Sequence, residues 1–183
     1  MSHAVSIMDA EAIDRALRRI AHEILEHNPD PNHFALVGIP LRGVELAERL
    51  GEHIGQIEGH APQLGSVDVS MHRDDLRIRK SFAGVHETRL PLHLEDQTLI
   101  LVDDVLFTGR TCRAAMDAIS SFGRPARIQL AVLLDRGHRE LPIEAGFVGR
   151  KIHTTDNEII ELKLQETDGS DKVLLMERVG QDQ

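Results

Sequence analysis

Two adjacent carboxylates, Asp103 and Asp104, close an apolar run over residues 98–102. In the loop that follows, Thr108, Gly109, Arg110 and Thr111 bring two hydroxyls, a guanidinium and backbone N–H groups to the start of a helix-like stretch, residues 112–121. Such N–H groups, aided by the helix dipole, hold a phosphate monoester. Carboxylates at the carboxyl end of a strand lie where open α/β sheets bind ligands. They accept hydrogen bonds from ribose hydroxyls and suit a hydrated Mg2+ close by. A ribose 5-phosphate carrying a diphosphate meets all these requirements. Transfer of its ribosyl group passes through an oxocarbenium-like centre. The residues must then hold the ribose, supply donors for the departing diphosphate and exclude water.

The elements that position these groups are readable from periodicity. The run at 98–102 is short, branched and bounded by polar residues, as in a strand buried on both faces. Residues 9–27 read as an amphipathic helix, with Ile13, Leu17, Ile20 and Ile24 on one face and Arg15, Arg18, Arg19 and His22 on the other. Asn28-Pro29-Asp30-Pro31 ends it. A buried strand is expected at 34–39, a helix from Arg42-Gly43 to about 54, and a strand at 67–71. The charged stretch 72–89 reads as an exposed, mobile loop, and 127–134 as another strand. This alternation predicts the α/β class, a mostly parallel sheet with helices on both faces. Beyond Pro142 the pattern changes. Strands at 158–165 and 172–179 join at 168–171 and, with the N-terminus, form a small antiparallel hood. The expected organisation is one domain over 1–183, with the hood drawn from the N-terminus and about 140–183.

Composition sets bounds. A chain of 183 residues with 41% hydrophobic content can bury one good core. No apolar stretch reaches membrane-spanning length and no signal peptide is visible, so no membrane partner is expected. Cys112 is the single cysteine and cannot form an internal disulfide, which points to a reducing cytoplasm. It reads as a packing residue. The 11 histidines do not fall into zinc-ligand spacing. A net charge of −9 argues against indiscriminate nucleic-acid binding, so any RNA contact needs a local basic patch.

The segment from Asp103 to Thr111 resembles the phosphoribosyl-diphosphate motif of the type I phosphoribosyltransferases. Val37-Gly38-Ile39-Pro40-Leu41-Arg42-Gly43, Arg73-Asp74-Asp75-Leu76 and the stretch 130–143, with its Asp135-Arg136-Gly137-His138-Arg139-Glu140-Leu141-Pro142-Ile143, follow in the expected order. Together they resemble the bacterial bifunctional regulators of pyrimidine-operon attenuation that also have uracil phosphoribosyltransferase activity. The similarity runs from about Ala4 to the C-terminus.

That resemblance implies a set of roles. Phosphoribosyl diphosphate would contact Leu41, Arg42, Gly43, Asp103, Asp104, Val105, Leu106, Phe107, Thr108, Gly109, Arg110 and Thr111, with Mg2+ held mainly by the substrate. Asp103, Asp104 and Arg73 would be catalytic, Arg73 arriving on a closing loop, and Arg42 would pair with the diphosphate. Two departures stand out. Pro40-Leu41 replaces the usual Lys/His-Thr pair and removes one N–H donor, and His72 stands where the family has Tyr. Purine-specific relatives often carry Asp where this chain has Phe107. That favours uracil, recognised by hood backbone around Arg136, Phe147 and Val148.

An mRNA leader of pyrimidine operons would bind Arg15, Arg18, Arg19, His22, His138, Arg139 and Arg150, under control of UMP or UTP. Glu144 occupies a position where the family has Arg, and a carboxylate there repels phosphate. The RNA surface is expected to be separable from the active site, so that Arg19 and Arg139 can be changed without touching the phosphoribosyl motif. A homodimer or larger assembly is implied. Two alternatives stay open: an enzyme that has lost RNA binding, and a phosphoribosyltransferase for another nucleobase.

Overall fold

The computed structural model describes residues 4–72 and 87–177. Strand β1 (Val5–Asp9) leads directly into helix α1 (Ala10–His27). Asp9 caps that helix by accepting from the Ala12 N–H at 2.9 Å. The apolar stripe of α1 is buried as its spacing requires, with Ile13, Leu17, Ile20 and Ile24 at 1% exposure or less. Burial of such side chains contributes about 1.5–3 kcal/mol each. Arg15, Arg18, Arg19 and His22 are exposed on the outer face.

Strand β2 (Phe34–Gly38), helix α2 (Arg42–Glu58) and strand β3 (Gln63–Ser66) follow. Then come β4 (Thr98–Leu106), α3 (Arg110–Ser120), β5 (Arg127–Asp135) and β6 (Phe147–Lys151). The five strands make one sheet in the order β3-β2-β4-β5-β6, parallel throughout. Helices α1 and α2 pack on one face with Leu36, Ile100, Val102 and Leu133. Helix α3 covers the other face, its Ala114, Ala115, Ala118 and Ile119 against Val37, Leu99, Leu101 and Val132. The expected α/β layering is therefore present. Strand β4 lies at the centre, buried on both faces.

A second sheet is antiparallel, in the order β1-β8-β7, with β7 (Glu158–Lys163) and β8 (Lys172–Glu177). A short helix α4 (Gln165–Asp168) joins them and ends at Gly169, which adopts φ 70°. This is the expected hood.

Three expectations need correction. Residues 67–71 are not a strand, because pairing with β2 uses 63–66 instead. Val67 and Val69 are buried, yet Asp68 bends the chain by accepting from Ser70 N–H at 2.9 Å. Strand β4 runs on to Leu106, so the two carboxylates lie inside its carboxyl half rather than at its very end. The hood does not begin near 140, since β6 pairs parallel with β5 in the main sheet. No helix among the described residues is long and apolar enough to cross a membrane.

Candidate active site

The site is built on the carboxyl half of β4. Asp103 Oδ1 accepts from the Asp104 N–H at 2.9 Å, and Asp104 Oδ1 accepts from the Val105 N–H at 2.7 Å. Each carboxylate is thereby fixed by the next peptide group and left half-buried. Asp103 also lies near Cys112 in the first turn of α3. Burial pushes the Cys112 thiol up to about 11, and the Asp103 carboxylate adds to the shift. The cysteine is thus a neutral packing group.

Leu106 and Phe107 carry the chain from β4 into the turn at 108–111. Gly109 takes φ 92° as the N-cap of α3, a left-handed conformation that glycine adopts without strain. No side chain caps this helix. Thr108 Oγ1 accepts from the Arg110 N–H at 3.3 Å, and the next N–H groups, of Thr111 and Cys112, open the helix. The arrangement can hold an anion of phosphate size.

Loop 38–43 reaches the carboxylates through one carbonyl. Val102 O accepts from the Ile39 N–H at 2.9 Å. At Gly43, an added Cβ would lie 2.3 Å from the same Val102 oxygen. A side chain there would push the loop off the strand just before Asp103. The Pro40–Leu41 peptide bond is cis, and Leu41 caps α2 without a side-chain hydrogen bond.

The Arg42 side chain turns elsewhere. Its Nε donates to Leu162 O at 3.3 Å, and its Nη2 pairs with Asp168 at 2.9 Å. It ties the hood to the start of α2 and does not point into the expected diphosphate loop, which corrects its side-chain role. Two turns on, Arg49 forks onto Glu166 (2.6 and 2.8 Å) and Asp171 (2.8 and 2.9 Å). Thr167 bonds Glu45 beside them. This network fixes the hood over the amino end of α2.

The uracil candidates separate. Phe147 is 2% exposed and packs edge-on against His27 in the α1-side core, and Val148 packs on the α3-side core. Both lie on β6, two strands away from the carboxylates of β4, and are engaged in core packing. Arg136 lies beside Phe107. Its guanidinium lies over the Phe107 ring at 4.1 Å and donates to Thr154 Oγ1, Thr155 O and Glu158 O. It joins the end of the phosphoribosyl motif to the start of the hood strand β7.

The RNA candidates are more engaged than their sequence suggests. Arg15 pairs with Glu11, Arg18 with Asp14 and Arg19 with Glu23, all within α1. Arg19 also donates to the carbonyls of Val148 and Gly149, and Arg150 donates to Ile7 O at 2.6 Å. His138 meets Thr154 O and Asp156. Arg139 uses all three guanidinium nitrogens, on Asp135 Oδ2, Ile143 O, Gly137 O and Phe107 O. Its bond to Phe107 overturns the expected separation of Arg139 from the phosphoribosyl motif. Arg73, with most of its loop, lies outside the described residues.

Sequence reasoning did not find Arg49, Glu140 or the contacts of Arg42, because each depends on partners far away in the chain. Glu140 accepts from Arg110 Nε at 2.6 Å.

Comparisons with known proteins identify the family. Residues 3–167 match the phosphoribosyl transferase domain family. The chain is 52% identical over 176 residues to the bifunctional protein PyrR of Chloroflexus aurantiacus, covering 96% of this chain and 97% of that one. It is 49% identical over 180 residues to the bifunctional protein PyrR of Thermus aquaticus, covering 98% and 99%. Among solved structures, a Trypanosoma cruzi hypoxanthine phosphoribosyl transferase matches with a TM-score of 0.71 at 16% identity, covering 95% of this chain and 91% of that one. A hypoxanthine-guanine phosphoribosyltransferase of Bacillus anthracis matches with 0.67 at 15% identity, covering 94% and 96%. These two structures share the fold. With the family match over most of the chain and half its residues shared end to end with such relatives, the chain belongs to the phosphoribosyltransferase family, among its bifunctional PyrR proteins.

Proposed function

We infer that the protein transfers the 5-phosphoribosyl group of phosphoribosyl diphosphate to uracil, and that it binds pyrimidine-operon leader RNA in response to the uridine nucleotide. One observation carries the enzymatic reading. Paired carboxylates, held by their own backbone on β4, run straight into an uncapped helix N-terminus.

In this reading Asp103 and Asp104 hold the ribose hydroxyls and set a negative potential at C1. The turn from Thr108 to Thr111 holds the 5-phosphate. The C1–O bond breaks, its electron pair leaves with the diphosphate, N1 of uracil bonds C1, and the N1 proton is released. The backbone N–H groups of Leu41 and Arg42, where the loop enters α2, receive the diphosphate, without the Arg42 guanidinium. Asp103 and Asp104 lie where a Mg2+ held mainly by the substrate would sit, and such an ion would supply charge neutralisation to the leaving group. Phe107 presents no acid or base to a purine ring, which supports uracil. The base lies under the hood, near Arg136 and the carbonyls it bonds.

The exposed arginines of α1 support the RNA reading. Their ion pairs lie at the surface, cost little to open and keep the side chains ordered on one face. A second reading, an enzyme without RNA binding, is favoured by those same acidic partners and by the four hydrogen bonds that engage the Arg139 guanidinium. The protein is cytoplasmic in this account and assembles as a homodimer or larger.

The test has two parts. Turnover is compared over uracil, orotate, hypoxanthine and guanine. Retention of leader RNA on filters is then measured with and without UMP. Turnover of uracil with UMP-dependent retention supports the full reading. Uracil turnover without retention leaves the enzyme alone, and turnover of another base removes the uracil assignment.

A further inference from the structure

Residues 106–110, which form the end of β4 and the phosphate turn, rest along their whole length on one other segment, residues 136–143. Leu106 O accepts from the Arg136 N–H at 3.1 Å. Phe107 O accepts from Arg139 Nη1 at 2.9 Å, and its ring lies under the Arg136 guanidinium. Thr108 O accepts from two successive N–H groups, of Glu140 at 3.0 Å and Leu141 at 3.2 Å. Gly109 faces Leu141 and Ile143, where an added Cβ would lie 3.3–3.5 Å from their side chains. Arg110 Nε donates to Glu140 Oε2 at 2.6 Å.

Only the last of these contacts joins two opposite charges. The others are backbone hydrogen bonds, side-chain packing, or guanidinium groups resting on a carbonyl or a ring, with no carboxylate for an arriving anion to displace. The Arg110–Glu140 pair differs. A 5-phosphate dianion in the turn attracts the guanidinium on the first residue of α3, and it repels the Glu140 carboxylate. Glu140 is half-exposed, so it can leave the pair without a large desolvation change. Its own N–H holds Thr108 O, so a shift of Glu140 moves the segment that carries His138 and Arg139.

We propose that Glu140 is the sensor of the phosphate turn: it occupies Arg110 when the turn is empty, the nucleotide 5-phosphate displaces it, and segment 136–143 carries the change to the outer surface. The inference rests on the assignment of the turn to a 5-phosphate. It gives this family-specific segment a coupling role in addition to any direct RNA contact. Binding energy is exchanged between two sites through one charge pair, so the effect is reciprocal.

The experiment uses the full chain with UMP as ligand, and compares wild type with Glu140→Gln. Calorimetry gives the UMP affinity, and amide exchange reports on residues 136–143 with and without UMP. In the wild type, UMP changes exchange across this segment. Glu140→Gln, which removes the competing charge and keeps the side-chain shape, binds UMP about threefold to tenfold more tightly. Its segment no longer responds to UMP, and its melting temperature stays close to wild type because the side chain is half-exposed. UMP affinity that is unchanged or weakened in Glu140→Gln, or a wild-type segment indifferent to bound UMP, overturns the inference and leaves the 5-phosphate site standing. Absence of UMP binding to the wild type overturns both.

Discussion

Arg139 and Phe107 are joined by a 2.9 Å hydrogen bond from Nη1 of the arginine to the main-chain carbonyl of the phenylalanine. The same guanidinium holds Asp135 at 2.6 Å and Ile143 O at 2.8 Å. Burial opposes ionisation of Asp135, but hydrogen bonds from Arg139 and the Gly137 N–H outweigh it and hold the carboxyl below its usual range. Arg139 is therefore a brace behind the phosphate turn.

The brace predicts that Arg139→Ala impairs both activities of the protein. Loss of hydrogen bonds from a charged group to half-buried partners destabilises the fold by about 2–3 kcal/mol. The KM for phosphoribosyl diphosphate rises more than the KM for the base, because the turn loses its support. Initial-rate kinetics with each substrate varied in turn, together with urea unfolding, check this. Wild-type KM values for both substrates would show that the brace is dispensable.

Arg15 and Arg18 give the cleaner test of the RNA surface. Both are exposed, and each is paired only one helical turn away, with Glu11 and Asp14. Arg15→Ala/Arg18→Ala leaves uracil turnover within about twofold of wild type, since losing surface ion pairs costs less than about 1 kcal/mol. Leader-RNA binding weakens, and its salt slope becomes shallower by about 0.7–1 for each RNA phosphate that the protein no longer neutralises. RNA retention across a salt series, paired with activity on the same preparation, decides it.

The hood is held to α2 by charge, so its attachment depends on pH. Hydrogen bonds from Arg49 hold the Glu166 and Asp171 carboxyls below their usual range, against the opposing effect of burial. A depressed folded value means that the stabilisation is present above the unfolded carboxylate range, about 4. It is lost as pH falls through the folded values. Arg49→Ala is expected to destabilise the protein at pH 7 by about 1–3 kcal/mol. The difference from wild type begins to shrink below about pH 4, where the unfolded carboxylates protonate, and is gone only once pH has fallen through the lowered folded values. Urea midpoints at neutral and acid pH measure it, and a gap that persists in acid would point to lost packing instead.

Cys112 should resist alkylation in the native protein. Its thiol is buried and pushed up to about 11, so almost no thiolate exists at pH 8. Iodoacetamide is expected to label it only after unfolding. Rapid labelling of folded protein would place the thiol at the surface.

Much of this was legible in the sequence because it is local. The run from Thr98 to Thr111 carries strand, carboxylates, turn and helix start within one short segment, and backbone geometry does the rest. The stripe Ile13-Leu17-Ile20-Ile24 marked α1 the same way. Val67 and Val69 misled because alternation reports burial, while strand pairing went to the more exposed residues 63–66 beside β2. Strand β6 was hidden by its length and by Gly149, where an added Cβ would lie 2.4 Å from Leu133 O. The partners of Arg42 and Arg110 lie 126 and 30 residues away, and nothing in the residue types at either end announces them.

The central claim is that Asp103 and Asp104 hold the ribose beside a cationic C1. The most direct measurement is steady-state turnover of uracil and phosphoribosyl diphosphate by Asp103→Asn and Asp104→Asn, alongside their unfolding curves. Both side chains are half-buried at the ligand end of β4, and Asn keeps an oxygen for the backbone N–H that each one holds. The folds should therefore survive. Turnover is predicted to fall by on the order of 100-fold or more in each, since a carboxylate aimed at developing charge contributes several kcal/mol. Near-normal turnover in both variants would contradict the account.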